Sequence, residues 1–127
     1  MKNILVIGAA GQIGSELTPE LRKRYGNFQV IAGIHKTKPP RELFESGPVE
    51  IVDVTEKDQI STVIRKYKID SIFNLAALLS VVGEANPLEA WHVGMNGLLN
   101  VLEVSRENRC AVFTPSSIGA FGLSTPL

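Results

Sequence analysis

The chain has 127 residues, 44% hydrophobic and 20% charged, with thirteen basic side chains against thirteen acidic ones. That describes one soluble domain with enough length to bury a core, and a net charge of zero gives no field that favours nucleic acid or an anionic membrane. A single cysteine, Cys110, excludes an internal disulfide and a cysteine-based zinc cluster.

No apolar run approaches the roughly 20 residues that span a bilayer. At the amino terminus one lysine precedes only Ile4-Leu5-Val6-Ile7, too short for the core of a signal peptide. The expected setting is cytoplasmic. A processed organellar leader leaves no trace, so an organelle matrix stays open. Lys36, Lys38 and Arg41 form the one basic cluster, and Pro39-Pro40 inside it marks a solvated loop rather than a nucleic-acid patch.

Ile4–Ile7 is a continuous apolar run of the kind found in a strand buried on both faces. It enters Gly8-Ala9-Ala10-Gly11-Gln12-Ile13-Gly14, and a helix is expected from Gln12 to Tyr25, ending at Gly26-Asn27. Glycines at 8, 11 and 14 in that setting supply a tight turn, close approach of backbone to a phosphate, and close helix–strand packing. The open N–H groups of the helix's first turn would meet the pyrophosphate of a dinucleotide. The plain alternative is a glycine-rich turn that only reverses the chain. The strand–turn–helix context favours the ligand.

Gln29–Ala32 is expected as a second strand, and 35–48 as a loop with one short turn at Arg41–Glu45. A third strand covers Val49–Val52 and closes at Asp53. Thr55 is expected to cap the next helix, with Asp58 in a capping-box position. Ile60, Val63, Ile64 and Tyr67 give that helix one apolar face. Ser71–Leu75 forms a fourth strand. Asn86-Pro87 opens a helix running to about Glu107 through Trp91, Met95, Leu98, Leu102 and Val104. Ala111–Thr114 is a fifth strand, and Cys110 before it is expected to be a buried strand thiol.

Alternating strands and helices predict an α/β fold, a Rossmann-type doubly wound parallel sheet in three layers. Ligands then bind at the carboxyl ends of the strands, where the strand order reverses between the first and fourth. The turns Gly8–Gly14, Ala32–His35, Asp53–Thr55, Asn74–Ser80 and Pro115–Gly122 are expected to face the site.

At Asn74-Leu75-Ala76-Ala77 and Pro115-Ser116-Ser117-Ile118-Gly119-Ala120-Phe121-Gly122 the chain resembles the extended short-chain dehydrogenases/reductases. That group includes UDP-galactose 4-epimerase and sugar-nucleotide dehydratases. In detail it looks most like the short-chain-type L-threonine 3-dehydrogenases: Gly11-Gln12-Ile13-Gly14, Ala77-Leu78-Leu79-Ser80 with Gly83-Glu84, and Met95-Asn96-Gly97 with Asn100-Val101-Leu102-Glu103. These pieces are collinear over nearly the whole chain.

The resemblance implies that Gly8, Gly11, Gln12, Ile13 and Gly14 hold the cofactor's pyrophosphate. It places Asp53 and Val54 at the adenine; a turn-forming aspartate before Thr55 is the structural alternative. Leu75, Ala76 and Ala77 would line the cofactor cleft, or serve as plain sheet packing. Asn96, among apolar neighbours, is expected to be a buried, hydrogen-bonded polar group supporting the catalytic loop. Ser117 matches the family's catalytic hydroxyl and Ser116 is the neighbouring candidate; Ser80 would contact a small-molecule substrate. Each of the three also fits as an ordinary loop serine.

Two departures qualify this. A Rossmann-type site usually carries Asp or Glu after the second strand, bound to the ribose hydroxyls of NAD, and Val30-Ile31-Ala32-Gly33-Ile34-His35-Lys36 offers none. NAD is expected from the resemblance, while Lys36 or Lys38 would tolerate the 2′-phosphate of NADP. The family's Tyr-x-x-x-Lys pair, its general acid/base and that residue's partner, does not occur in these residues: neither Tyr25 nor Tyr67 is followed by Lys at the fourth position.

The expectation is an amino-terminal part of a longer enzyme, its Rossmann domain incomplete on the carboxyl-terminal side. By itself it would bind dinucleotide weakly and turn over nothing. The complete enzyme would oxidise the 3-hydroxyl of L-threonine to 2-amino-3-ketobutyrate. A nucleotide-sugar epimerase or dehydratase, and a non-catalytic dinucleotide-binding module, are the alternatives. A homodimer through helix 87–107 is the expected assembly.

Overall fold

A computed structural model describes residues 1–76 and 87–115. Five parallel strands, β1 (Ile4–Ile7), β2 (Val30–Ile34), β3 (Val49–Ile51), β4 (Ser71–Asn74) and β5 (Ala111–Phe113), form one sheet in the order β3-β2-β1-β4-β5. β1 is central, pairing Ile4 with Val30 on one side and with Ser71 on the other. The order reverses between β1 and β4, as the alternation of elements predicts.

Successive strand residues point to opposite faces, so β1 feeds two cores. Ile4 and Val6 join Leu21 of α1 (Gly14–Tyr25) and Leu43 of α2 (Arg41–Ser46). Leu5 and Ile7 join Ile60, Val63 and Ile64 of α3 (Lys57–Tyr67), with Val101 and Val104 of the last helix. All four β1 side chains are buried, which explains an apolar run without alternation. This is the three-layer Rossmann-type architecture.

Several boundaries differ from expectation, each for a local reason. α1 begins at Gly14 rather than Gln12, because Gly11 N–H first closes a turn onto Gly8 O at 3.0 Å. β2 runs on to Ile34, held by pairing with β3 in the register Ile34↔Ile51 and by Val52 N–H donating to Ile34 O. Thr55 does not cap α3. Its amide and hydroxyl both donate to Asp53 Oδ1, at 3.0 and 2.7 Å, and the helix starts at Lys57. These bonds make an Asx turn, and no side chain caps the helix.

The expected continuous helix after Pro87 is three pieces: α4 (Pro87–Trp91), one wide turn at His92–Asn96, and α5 (Gly97–Asn108). Gly97 N–H donates to His92 O, a step of five residues rather than four. Cys110 is half-buried rather than buried and precedes β5; its Sγ donates to Ile69 O at 3.0 Å. Burial, with Asp70 nearby, pushes that thiol's pKa up, so it is a poor nucleophile.

Arg22 of α1 is 2% exposed and carries its charge into the α2 side of the core. Its guanidinium donates to Val30 O, Leu43 O, Pro48 O and Ser46 Oγ, tying α1 to β2, α2 and the approach to β3. Burial lowers its pKa.

Candidate functional site

The site is built from four strand ends. The turn after β1 is stapled to β2 because the Gly8 and Ala9 amides both donate to Gly33 O at 3.0 Å. Gly8 sits at φ +80°, and a Cβ there would come within 2.9 Å of the Leu75 backbone. Gly14 lies against the same turn: a Cβ would meet Ala9 Cα at 2.7 Å and collide with Gly8 O. Gly11 is different, since a Cβ there would meet only Gly8 O, at 3.3 Å. Glycines 8 and 14 are therefore required by the turn, while the bareness of Gly11 leaves room for a ligand.

Above this turn the amides of Gln12, Ile13 and Gly14 have no acceptor among the described residues; the first helical bond is Ser15 N–H to Gly11 O at 2.9 Å. Consecutive free donors at a helix start form an anion cradle. Gln12 and Ile13 have exposed side chains, Ile13 at 59%, so their contribution is main-chain.

A cleft of about 180 Å³ opens beside the cradle. Gly8, Ala10 and Gly11 form its floor; Ile34, His35, Lys36 and Thr37 follow β2; Val52, Asp53 and Val54 follow β3; Leu75 and Ala76 follow β4. Glu89 of α4 and Val93 of the wide turn close it. Glycine floor, apolar walls and open amides fit the phosphates and adenosine half of a dinucleotide.

Asp53 takes the turn-forming role before Thr55 and also lines the cleft. Its Oδ1 accepts the two Thr55 bonds, and its Oδ2 lies 3.3 Å from His35 Nε2 at the cleft wall. Burial pulls its pKa up, but the Thr55 hydrogen bonds and the facing His35 and Lys36 outweigh this and hold it below the ordinary value. It stays an anion near neutral pH, able to accept a hydrogen bond from a ligand amino group. Val54, beside it, ties the cleft to α5. Its side chain packs on Gly97, where a Cβ would approach Val54 Cγ2 to 2.7 Å, and its carbonyl accepts from Asn100 Nδ2 at 2.9 Å.

Asn96 is a correction. It is exposed, not buried, and its side-chain amide lies 2.8 Å from His92 Nδ1 within the wide turn. The extra residue in that turn rotates Asn96 outward and leaves Gly97 and Asn100 to make the contacts with Val54. Asn100, Glu89 and Val93 were not legible as site residues. The spacing of Glu89 and Val93 puts them on one helix face, but which face meets the cleft depends on the β4 crossover. Ala77, Ser80, Ser116 and Ser117 lie outside the described residues. Among the described residues no cluster of three or more His, Cys, Asp or Glu side chains is placed to hold a metal, and no helix is long and apolar enough to cross a membrane.

Comparison with known proteins agrees with this geometry. An L-threonine dehydrogenase structure from Clostridium difficile superposes with a TM-score of 0.94 at 52% identity, over 99% of this chain and 40% of that one. A GalE-like L-threonine dehydrogenase from Cupriavidus necator, in its holo form, gives 0.89 at 41%, over 98% and 40%. A UDP-glucose 4-epimerase from Thermus thermophilus in complex with NAD gives 0.74 at 28%, over 84% and 34%. Among curated relatives, an uncharacterized epimerase/dehydratase of Staphylococcus saprophyticus is 48% identical over 99% of this chain and 39% of its own length. The chain thus spans about two-fifths of the length of the relatives it matches. The sequence pattern of one family covers residues 4–127, and with a glycine cradle at the switch point of a parallel sheet it identifies the chain as a member of the NAD-dependent epimerase/dehydratase family.

Proposed function

We propose that this chain is the cofactor-binding part of an NAD-dependent oxidoreductase that oxidises the 3-hydroxyl of L-threonine to 2-amino-3-ketobutyrate. The observation that carries the reading is the match in backbone and sequence to L-threonine dehydrogenase structures, at 52% and 41% identity. NAD, when bound, accepts a hydride from the substrate carbon.

The chain's own part is binding and orientation. The amides of Gln12, Ile13 and Gly14, over Gly8 and Gly11, hold the pyrophosphate. Asp53 and Val54 receive the adenine; Leu75, Ala76 and Ala77 leave room for ribose and nicotinamide. Ser117, with Ser116 beside it, donates a hydrogen bond to the substrate oxygen and polarises it, and Ser80 contacts the substrate. A tyrosine supplied from beyond these residues takes the hydroxyl proton. The enzyme works in the cytoplasm.

The test is NADH formation by the complete gene product with L-threonine. Threonine-dependent NADH, lost by at least a hundredfold in Ser117→Ala, supports the reading. Turnover of UDP-galactose without NADH release would replace it with the epimerase reading, which the Thermus thermophilus neighbour favours. NAD binding without either reaction would leave a dinucleotide-binding module.

A second copy of the chain is the proposed macromolecular partner. Leu88, Trp91, Met95, Leu99 and Leu102 recur at steps of three and four along α4, the wide turn and α5, and are 43–85% exposed. That spacing makes one apolar stripe. Leu99→Lys should convert dimer to monomer in light scattering while the monomer keeps its folded circular-dichroism spectrum.

A further inference from the structure

We infer that the ribose end of the cleft takes a 2′-phosphate, so that the site accepts NADP as well as NAD. The inference rests on the dinucleotide reading above. β2 ends at Ile34, which is 8% exposed and stands where a carboxylate would bind the ribose hydroxyls and repel a phosphate. Past it come His35, Lys36 and Thr37, all exposed and all on the cleft wall: an imidazole, an ammonium and a hydroxyl in direct succession. Each is a hydrogen-bond donor, and an ammonium adds the charge that a phosphate dianion needs. The loop as far as Pro40 contains no carboxylate.

Two carboxylates do face the cleft, and each already stands against a basic side chain. Asp53 Oδ2 stands 3.3 Å from His35 Nε2, with its other oxygen committed to Thr55. Glu89 Oε1 stands 3.7 Å from Lys36 Nζ, and both side chains are at least half exposed. An exposed pair of that kind is weak. A phosphate with three oxygens competes for Lys36 on better terms, so Glu89 acts as a placeholder that the 2′-phosphate displaces.

The test is titration of the protein with NAD and with NADP, at low salt. The expected result is NADP affinity within about threefold of NAD or better. Lys36→Glu should weaken NADP by about tenfold, the size of one charge-assisted hydrogen bond, while NAD changes by less than about threefold. Glu89→Gln should tighten NADP alone, because it frees Lys36. Ile34→Asp should restore a preference for NAD. NAD binding with NADP at least tenfold weaker in the native chain overturns this inference and leaves the cleft assignment intact. Binding of neither overturns both.

Discussion

α3 and the α4–α5 pair cover the same face of the sheet, yet they spend their apolar residues differently. In α3, Ile60, Val63 and Ile64 are all less than 5% exposed, and the opposite face is polar. Along α4–α5, Val101 and Val104 are fully buried, while Leu88, Trp91, Met95, Leu99 and Leu102 face outward. The first is a helix with one job, filling a core. The second carries two apolar faces, and the wide turn at His92–Asn96 marks the change between its cleft-facing and core-facing parts. A second apolar face has no use in this sheet.

The contrast can be broken by substitution. Ile60→Ala in α3 should cost about 2–5 kcal/mol, because the site is sealed and cannot collapse. The matching loss on the outer stripe, Leu99→Ala, should change the chemical unfolding midpoint of the separated monomer little. Equal effects at the two positions would show that the stripe is covered within one copy.

Gly97→Ala tests the contact between α5 and the turn after β3. Its methyl would press on Val54 and force the helix outward, costing about 1–3 kcal/mol and weakening NAD binding in the same variant. Asn100→Ala, which frees the Val54 carbonyl, should cost about 1 kcal/mol.

A smaller effect separates the junction after α3 by pH. Asp70 accepts hydrogen bonds from the Lys2 and Asn3 amides and from the Ser71 hydroxyl. Burial raises its pKa, but those hydrogen bonds outweigh it, and the folded value is depressed. A depressed carboxylate contributes stability above its unfolded pKa, about 3.9, and loses it as pH falls through the folded value. Stability measured from pH 6 downward should therefore decline below about pH 4, and Asp70→Asn should flatten that part of the decline.

The smallest effect belongs to Lys57, which bridges α3 to Glu103 and Glu107 of α5 at 2.9 and 3.2 Å. The three side chains are in solvent, so Lys57→Ala should leave the unfolding midpoint within experimental scatter.

How far the fold could be read from sequence follows the same division. β1, β2 and the glycine turn were legible because burial on both faces and turn chemistry leave few alternatives to Ile4–Gly14. A turn-forming Asp53 was legible, but Thr55 suits both that turn and a helix cap, and the Asp53 side-chain position decides against the cap. The wide turn at His92–Asn96 carries no signal in the apolar spacing, which stays periodic through it, and Gly97 just past it packs on Val54. Of the candidate site, the cradle and Asp53 were legible. Glu89 and Val93 were not, because a distant crossover brings them to the cleft, and the same crossover sets the Asn100 bond to Val54 O.

Arg22 has a consequence of another kind. Its charge is solvated by peptide dipoles, three carbonyls and one hydroxyl, with no carboxylate paired to it among the described residues. A planar fork of donors can address acceptors on a strand, a helix and the loop before β3 at once, and a lysine's single nitrogen cannot. Position 22 is thus a geometric lock: the segment from α1 to β3 closes around one guanidinium, and Gly47, where any Cβ would strike it, is part of the same lock. Arg22→Lys, although it preserves charge, would strand carbonyls in the core and loosen the floor on which the glycine cradle rests.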